Sequence, residues 1–134
     1  LTTFWDVAKH YDEIVTFNGR GFDCPFTLLR SALLRIPPTR NLLPYRYAAE
    51  EHCDLLDQLT FYGSTRRFSL DFYCRSFGIG SPKEGGVTGA EIGSLFASGR
   101  FCQIADYCMR DVVATAELFK RWNDSLNFKE PRRS

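Results

Sequence analysis

Four residues stand where their types and spacing could do chemistry. Asn18 and Asp23 flank a Gly-rich turn, Gly19-Arg20-Gly21-Phe22, that follows the apolar run Val15-Thr16-Phe17. A strand feeding such a turn sets both side chains at the carboxyl end of a sheet, where open α/β folds build their sites. Tyr107 and Asp111 are four apart in a helical pattern, so both project from one side of the helix, one turn apart. Divalent-metal chemistry needs hard oxygen ligands, which Asp111 and Asp23 would supply, with the Tyr107 hydroxyl holding a water that the ion polarises. The plainer alternative makes Asp23 a helix cap and Asp111 a solvated acid beside a packed tyrosine.

The elements that must position these groups follow from periodicity. Thr3 to Tyr11 reads as a helix, with Thr3 and Asp6 forming a capping box and Phe4, Val7, Ala8 and Tyr11 on one face. A strand over Glu13–Phe17 leads to the turn. Pro25 falls in the first turn of the next helix, where Phe26, Leu29, Leu33 and Ile36 recur at helical spacing until Pro37-Pro38 stops it. Thr39 to Glu51 is a loop, and His52–Asp57 reads as a second strand whose His52, Asp54 and Asp57 serve strand-end hydrogen bonding. Ser69 caps a helix over Leu70–Phe77, closed by Gly78. Gly80–Gly86 is a loop carrying Lys83; it has no G-K-[ST] ending and is not a P-loop. Thr88 and Glu91 box a short helix through Phe96 that ends at Gly99. A long helix over Phe101–Trp122 takes Ile104, Cys108, Val112, Ala116 and Phe119 as its core face, and 123–134 is a polar tail.

Composition sets the outer bounds. The 134 residues are a one-domain length, 44% hydrophobic and 25% charged, as in globular proteins. No apolar run reaches the roughly 20 residues that span a bilayer, so no membrane partner is expected. Five cysteines without a C-x-x-C pair read as reduced, mostly packed thiols in a cytoplasmic protein. Thirteen of 17 basic residues are arginine, the better bidentate phosphate ligand, yet a net charge of +1 confines any polyanion site to a local groove.

The run Phe17-Asn18-Gly19-Arg20-Gly21-Phe22-Asp23-Cys24-Pro25-Phe26 resembles the second motif of DEDDy-type 3′–5′ exonucleases. It looks closest to predicted exonucleases related to the proofreading domain of family-B DNA polymerases. Tyr107-Cys108-Met109-Arg110-Asp111 resembles their third motif, Tyr-x-x-x-Asp, and the similarity covers nearly all of residues 5–122. The resemblance implies an α/β, ribonuclease H-like fold over residues 1–122. It implies that Asp23 and Asp111 ligate a two-metal Mg²⁺ or Mn²⁺ site and that Tyr107 orients the attacking water. Asn18 and Phe22 would shape the pocket for the terminal nucleotide, with Lys83 against phosphate. The substrate implied is a single-stranded 3′ end, shortened by release of nucleoside monophosphates.

One departure matters. The family's first motif, Asp-x-Glu, occurs nowhere in these residues. The expectation is therefore an N-terminally truncated, helix-rich domain with a reduced sheet, bearing about −2 rather than −4 formal charge at the metal site. Such a chain should be inactive or nearly so, and its exposed strand edge and helix faces should drive it into a homo-oligomer, most simply a dimer. Two further readings stay open: a non-catalytic single-stranded nucleic-acid-binding remnant, and a structural fragment with no nucleic-acid role.

Overall fold

The computed structural model describes residues 1–80 and 89–128, which form a helix-rich α/β chain with one small sheet. The chain divides into two compact units, Leu1–Arg67 and Phe68–Ser134.

The first unit carries helix α1 (Thr2–Ala8), strand β1 (Ile14–Thr16), helix α2 (Asp23–Leu33), strand β2 (His52–Asp54) and helix α3 (Leu55–Leu59). The strands are parallel, with Ile14 opposite His52 and Thr16 opposite Asp54. Apolar burial centres on Trp5, Ala8, Cys24 and Leu42, with Ile14, Leu28, Ile36 and Leu43 packed around them. Trp5 is too large to bury with its indole N–H unpaired, and that group donates to Ser31 Oγ at 2.9 Å. Arg40 closes the carboxyl end of α1: its guanidinium donates to the carbonyls of Ala8, Tyr11 and Asp12. A cation at that end also opposes the negative end of the helix dipole.

The second unit carries α4 (Leu70–Ser76), a 3-10 turn (Gly89–Glu91), α5 (Ile92–Ala97) and α6 (Phe101–Ser125). Helices α4 and α5 both pack against α6. Ser69 caps α4 as expected, its hydroxyl accepting from Phe72 N at 3.1 Å, and Gly78 and Gly99 take the left-handed conformation just past α4 and α5.

Several expectations need correction. The capping box at Thr3 does not form, because α1 starts at Thr2 with Leu1 ahead of it; Asp6 instead faces Lys9 at 3.8 Å. The second strand stops at Asp54, since the Asp54 carboxylate accepts from Leu56 N and starts α3 there. Helix α6 runs on to Ser125, so Asn123–Ser125 are not tail. The covered side of α6 is also not the expected one. Ala114, Leu118 and Trp122 are buried, whereas Val112 is 60% exposed and Cys108 and Ala116 lie open. Of the expected face only its two ends, Ile104 and Phe119, are half-buried, Phe119 lying against Trp122 with ring centroids 5.8 Å apart. Lys83 and Thr88 fall outside the described residues. Among those described, no helix is long and apolar enough to cross a membrane.

Candidate functional site

In the first unit the turn after β1 is fixed by the ends of both strands. Asp54 closes β2 and is 3% exposed. One of its oxygens accepts from Asn18 N at 2.8 Å and from Leu56 N at 3.1 Å, and the other from Arg20 N at 3.3 Å. Thr16, its partner in register, accepts from Gly19 N at 3.1 Å. His52 is buried with its Nδ1 2.9 Å from Leu42 O and its Nε2 2.8 Å from Thr16 Oγ1. A carbonyl only accepts, so Nδ1–H donates to Leu42 and the neutral Nε2 accepts the Thr16 hydroxyl proton. Burial holds the His52 pKa below its ordinary value, which keeps that tautomer in place.

The turn has no room for added side chains. A Cβ at Gly19 would lie 2.4 Å from Thr16 Oγ1, and one at Gly21 2.6 Å from Asn18 Oδ1. Asn18 itself has φ 61°, a left-handed conformation that asparagine tolerates. Its side-chain oxygen accepts from Arg67 Nη2 at 2.9 Å. Phe22 follows, 68% exposed, and stacks on Phe26 with centroids 6.5 Å apart.

Asp23 is the first residue of α2 and makes no side-chain cap bond, so the capping alternative does not hold. Its carboxyl is raised above the ordinary range, first by desolvation and then by the Asp54 charge. Cys24 behind it is buried and its thiol is pushed up to about 11, mainly by desolvation. Asp54 itself is committed to three backbone N–H groups.

In the second unit Tyr107 and Asp111 sit near the middle of the covered side of α6, in one line with Ala114 and Leu118. Both are half-buried. Desolvation, followed by the Asp111 charge, raises the Tyr107 phenol, while Arg110 pulls it down. The Tyr107 hydroxyl comes close to Gly89, where a Cβ would meet it at 3.5 Å. Thr115 Oγ1 donates to the Asp111 carbonyl at 2.7 Å.

Of the two carboxylates expected to ligate metal, the first unit thus carries Asp23 and the second Asp111. No group of three or more His, Cys, Asp or Glu side chains able to hold a metal occurs among the described residues. The donors present do not by themselves make a divalent-cation site. Sequence reasoning left Asp54 and His52 as strand-end groups and passed over Thr16, Arg20 and Arg67. The readable signal was Thr16 and Asp54, polar residues at the facing ends of two short strands.

A family model described as a predicted 3′–5′ exonuclease related to the exonuclease domain of PolB matches residues 1–127. No curated protein and no solved structure matches the chain.

Proposed function

The chain belongs to this predicted 3′–5′ exonuclease family, and on that premise we propose that it carries an incomplete site for hydrolysing the 3′-terminal phosphodiester of DNA. The observation behind the reading is the family match over residues 1–127, within which the Asn18–Asp23 turn and the Tyr107–Asp111 pair stand in motif order. Asp23 and Asp111 are the carboxylates that would hold Mg²⁺ or Mn²⁺, the ions that supply phosphodiester hydrolysis in such enzymes. Tyr107 orients the attacking water through its hydroxyl. Asn18 and Phe22 line the place of the terminal nucleotide, Lys83 contacts its phosphate, and β1 with β2 belongs to a ribonuclease H-like sheet.

With no Asp-x-Glu in the sequence and no group of three metal-ligating side chains among the described residues, Asp23 and Asp111 bring too little negative charge for two divalent ions. Turnover by this chain is nil or nearly nil. The reading includes self-association in the cytoplasm: α2 turns Phe26, Leu29 and Leu33 outward, Leu33 76% exposed, and an open groove of about 370 Å³ lies along β1 between α1 and α2. Light scattering should report a dimer; a monomer at all concentrations removes that part.

The decisive assay follows loss of 3′ nucleotides from single-stranded DNA in Mg²⁺ and in Mn²⁺, with Asp111→Ala alongside. Turnover close to the protein-free control is expected from both. Strong turnover abolished by Asp111→Ala would overturn the inactivity and keep the site. Strong turnover that survives the substitution would sink the site.

A further inference from the structure

Among the described residues, three buried side-chain nitrogens have no hydrogen-bond partner: Nη1 of Arg20, and Nε and Nη2 of Arg110. All three are guanidinium nitrogens, and both arginines lie inside the two motif stretches. A buried donor left without an acceptor costs about 1–3 kcal/mol, and a charged one more, so each such group calls for an explanation. Arginines elsewhere show that this chain does satisfy its guanidiniums. Arg40 closes α1, Arg46 meets Asp57 at 3.1 Å, Arg75 meets Asp71 at 3.0 Å, and Arg121 donates to Phe77 O at 2.8 Å.

Arg20 is held by its own turn. Its backbone N–H is on Asp54, and its Nη2 donates to Pro44 O at 2.7 Å, which fixes the guanidinium with Nη1 to spare. Arg110 is three residues from Tyr107, hence on the same side of α6, and directly precedes Asp111. Its unpaired nitrogens, Nε and Nη2, are one edge of the guanidinium fork, the edge that takes two oxygens of one phosphate in parallel. A phosphate also brings a negative charge to a half-buried guanidinium, which a water does not.

We propose that Arg20 and Arg110 are each, independently, a phosphate-binding residue for single-stranded nucleic acid, Arg110 gripping two oxygens of one phosphate through Nε and Nη2 and Arg20 one oxygen through Nη1. The proposal rests on the exonuclease reading for the identity of the ligand, and adds to it two contacts that need no metal. Each contact is made within its own motif stretch.

The test is fluorescence anisotropy of a labelled oligodeoxythymidine with a free 3′ hydroxyl, in EDTA, competed by thymidine 5′-monophosphate and by inorganic phosphate. Arg110→Met should weaken oligonucleotide and monophosphate binding about tenfold or more and lower the salt slope by about one. Arg20→Met should do the same to a smaller degree. Arg110→Lys should recover only part of the loss, because an ammonium lacks the fork. Melting temperature should hold or rise in the methionine variants, since an unpaired buried charge is removed. If Arg110→Met fails to fold, Arg110→Lys and Arg20→Met carry the comparison. Unchanged affinity and salt slope in the folded variants overturns the proposal, as does a wild-type chain that binds no oligonucleotide. Inorganic phosphate competing as well as the monophosphate overturns the nucleic-acid assignment. An Asp111-dependent degradation of DNA alongside unchanged arginine variants would leave the exonuclease reading standing while this one falls.

Discussion

The turn at residues 18–23 and the pair Tyr107–Asp111 are held in opposite ways. The turn is short and irregular, and it is braced from far away in sequence: Asn18 and Arg20 donate to Asp54, and Thr16, which accepts from nearby Gly19, is itself held by His52. The Tyr107–Asp111 pair is placed by the regularity of α6, with its side of the helix chosen by Ala114, Leu118 and Trp122. A braced turn should fail when one brace is cut. A helical pair should lose its chemistry while the helix stays.

The largest effect expected is from Asp54→Ala. It strips acceptors from three backbone N–H groups at a buried position, and should cost about 3 kcal/mol or more in urea unfolding. Asp111→Ala, on a half-buried helix surface, should cost less than about 1 kcal/mol. Equal losses would erase the distinction between the two regions.

Next comes Gly19→Ala. The added Cβ would meet Thr16 Oγ1 at 2.4 Å, and Thr16 cannot rotate away without releasing both Gly19 N–H and His52. A loss of about 1–3 kcal/mol is expected by denaturant titration. The double variant Gly19→Ala, Thr16→Ser keeps the hydroxyl and relieves only Cγ2, so little recovery is expected.

How much of this was legible beforehand depends on whether local pattern or distant partners decide. The strand before the turn, the start of the helix at Pro25 and the Ser69 cap follow from local pattern and agree within a residue or two, whereas that helix ends at Leu33, with Arg35 left-handed, before the prolines expected to stop it. The end of β2 was not legible. Leu55-Leu56 suits a strand as well as a helix, and only the Asp54 carboxylate, turned onto Leu56 N, decides it. The covered face of α6 was misread for a related reason. Ile104, Cys108, Val112, Ala116 and Phe119 form a valid stripe, but a second one through Ala114, Leu118 and Trp122 is the buried one, and periodicity alone does not choose between them. Arginine counts were the least informative. Thirteen guanidiniums look alike in sequence, and among the described ones the structure tells apart a helix closure at Arg40, ion pairs at Arg46 and Arg75, and Arg20 and Arg110 with buried nitrogens left over.

A smaller effect separates the two regions by pH. His52 is buried and its pKa is lowered by desolvation. A lowered pKa means the folded state resists the proton that the unfolded chain accepts near 6.5. Stability is therefore full above 6.5 and is lost as pH falls through the lowered folded value. Melting followed between pH 7.5 and pH 4.5 should show this loss, and His52→Gln should flatten it. A slope that persists in His52→Gln would assign the titration elsewhere.

The smallest effect is at Asp23 and has the opposite sign to the ordinary acidic group. Its carboxyl is raised from 3.8 by desolvation and by the Asp54 charge, so folding disfavours its ionised form. A raised folded pKa gives stability that is present below the unfolded value and is lost as pH rises through the folded one. Asp23→Asn should therefore melt slightly higher than wild type at pH 7, by a modest margin because the side chain is open to solvent, and the difference should vanish near pH 3. Adding Mn²⁺ at pH 7 sharpens the result. A lone carboxylate gains little from the ion, so the wild-type melting temperature should not move toward or past that of Asp23→Asn. A rise in wild type that is missing from Asp23→Asn would mean that Asp23 has further ligands beside it, and the turn would then be a metal site in its own right.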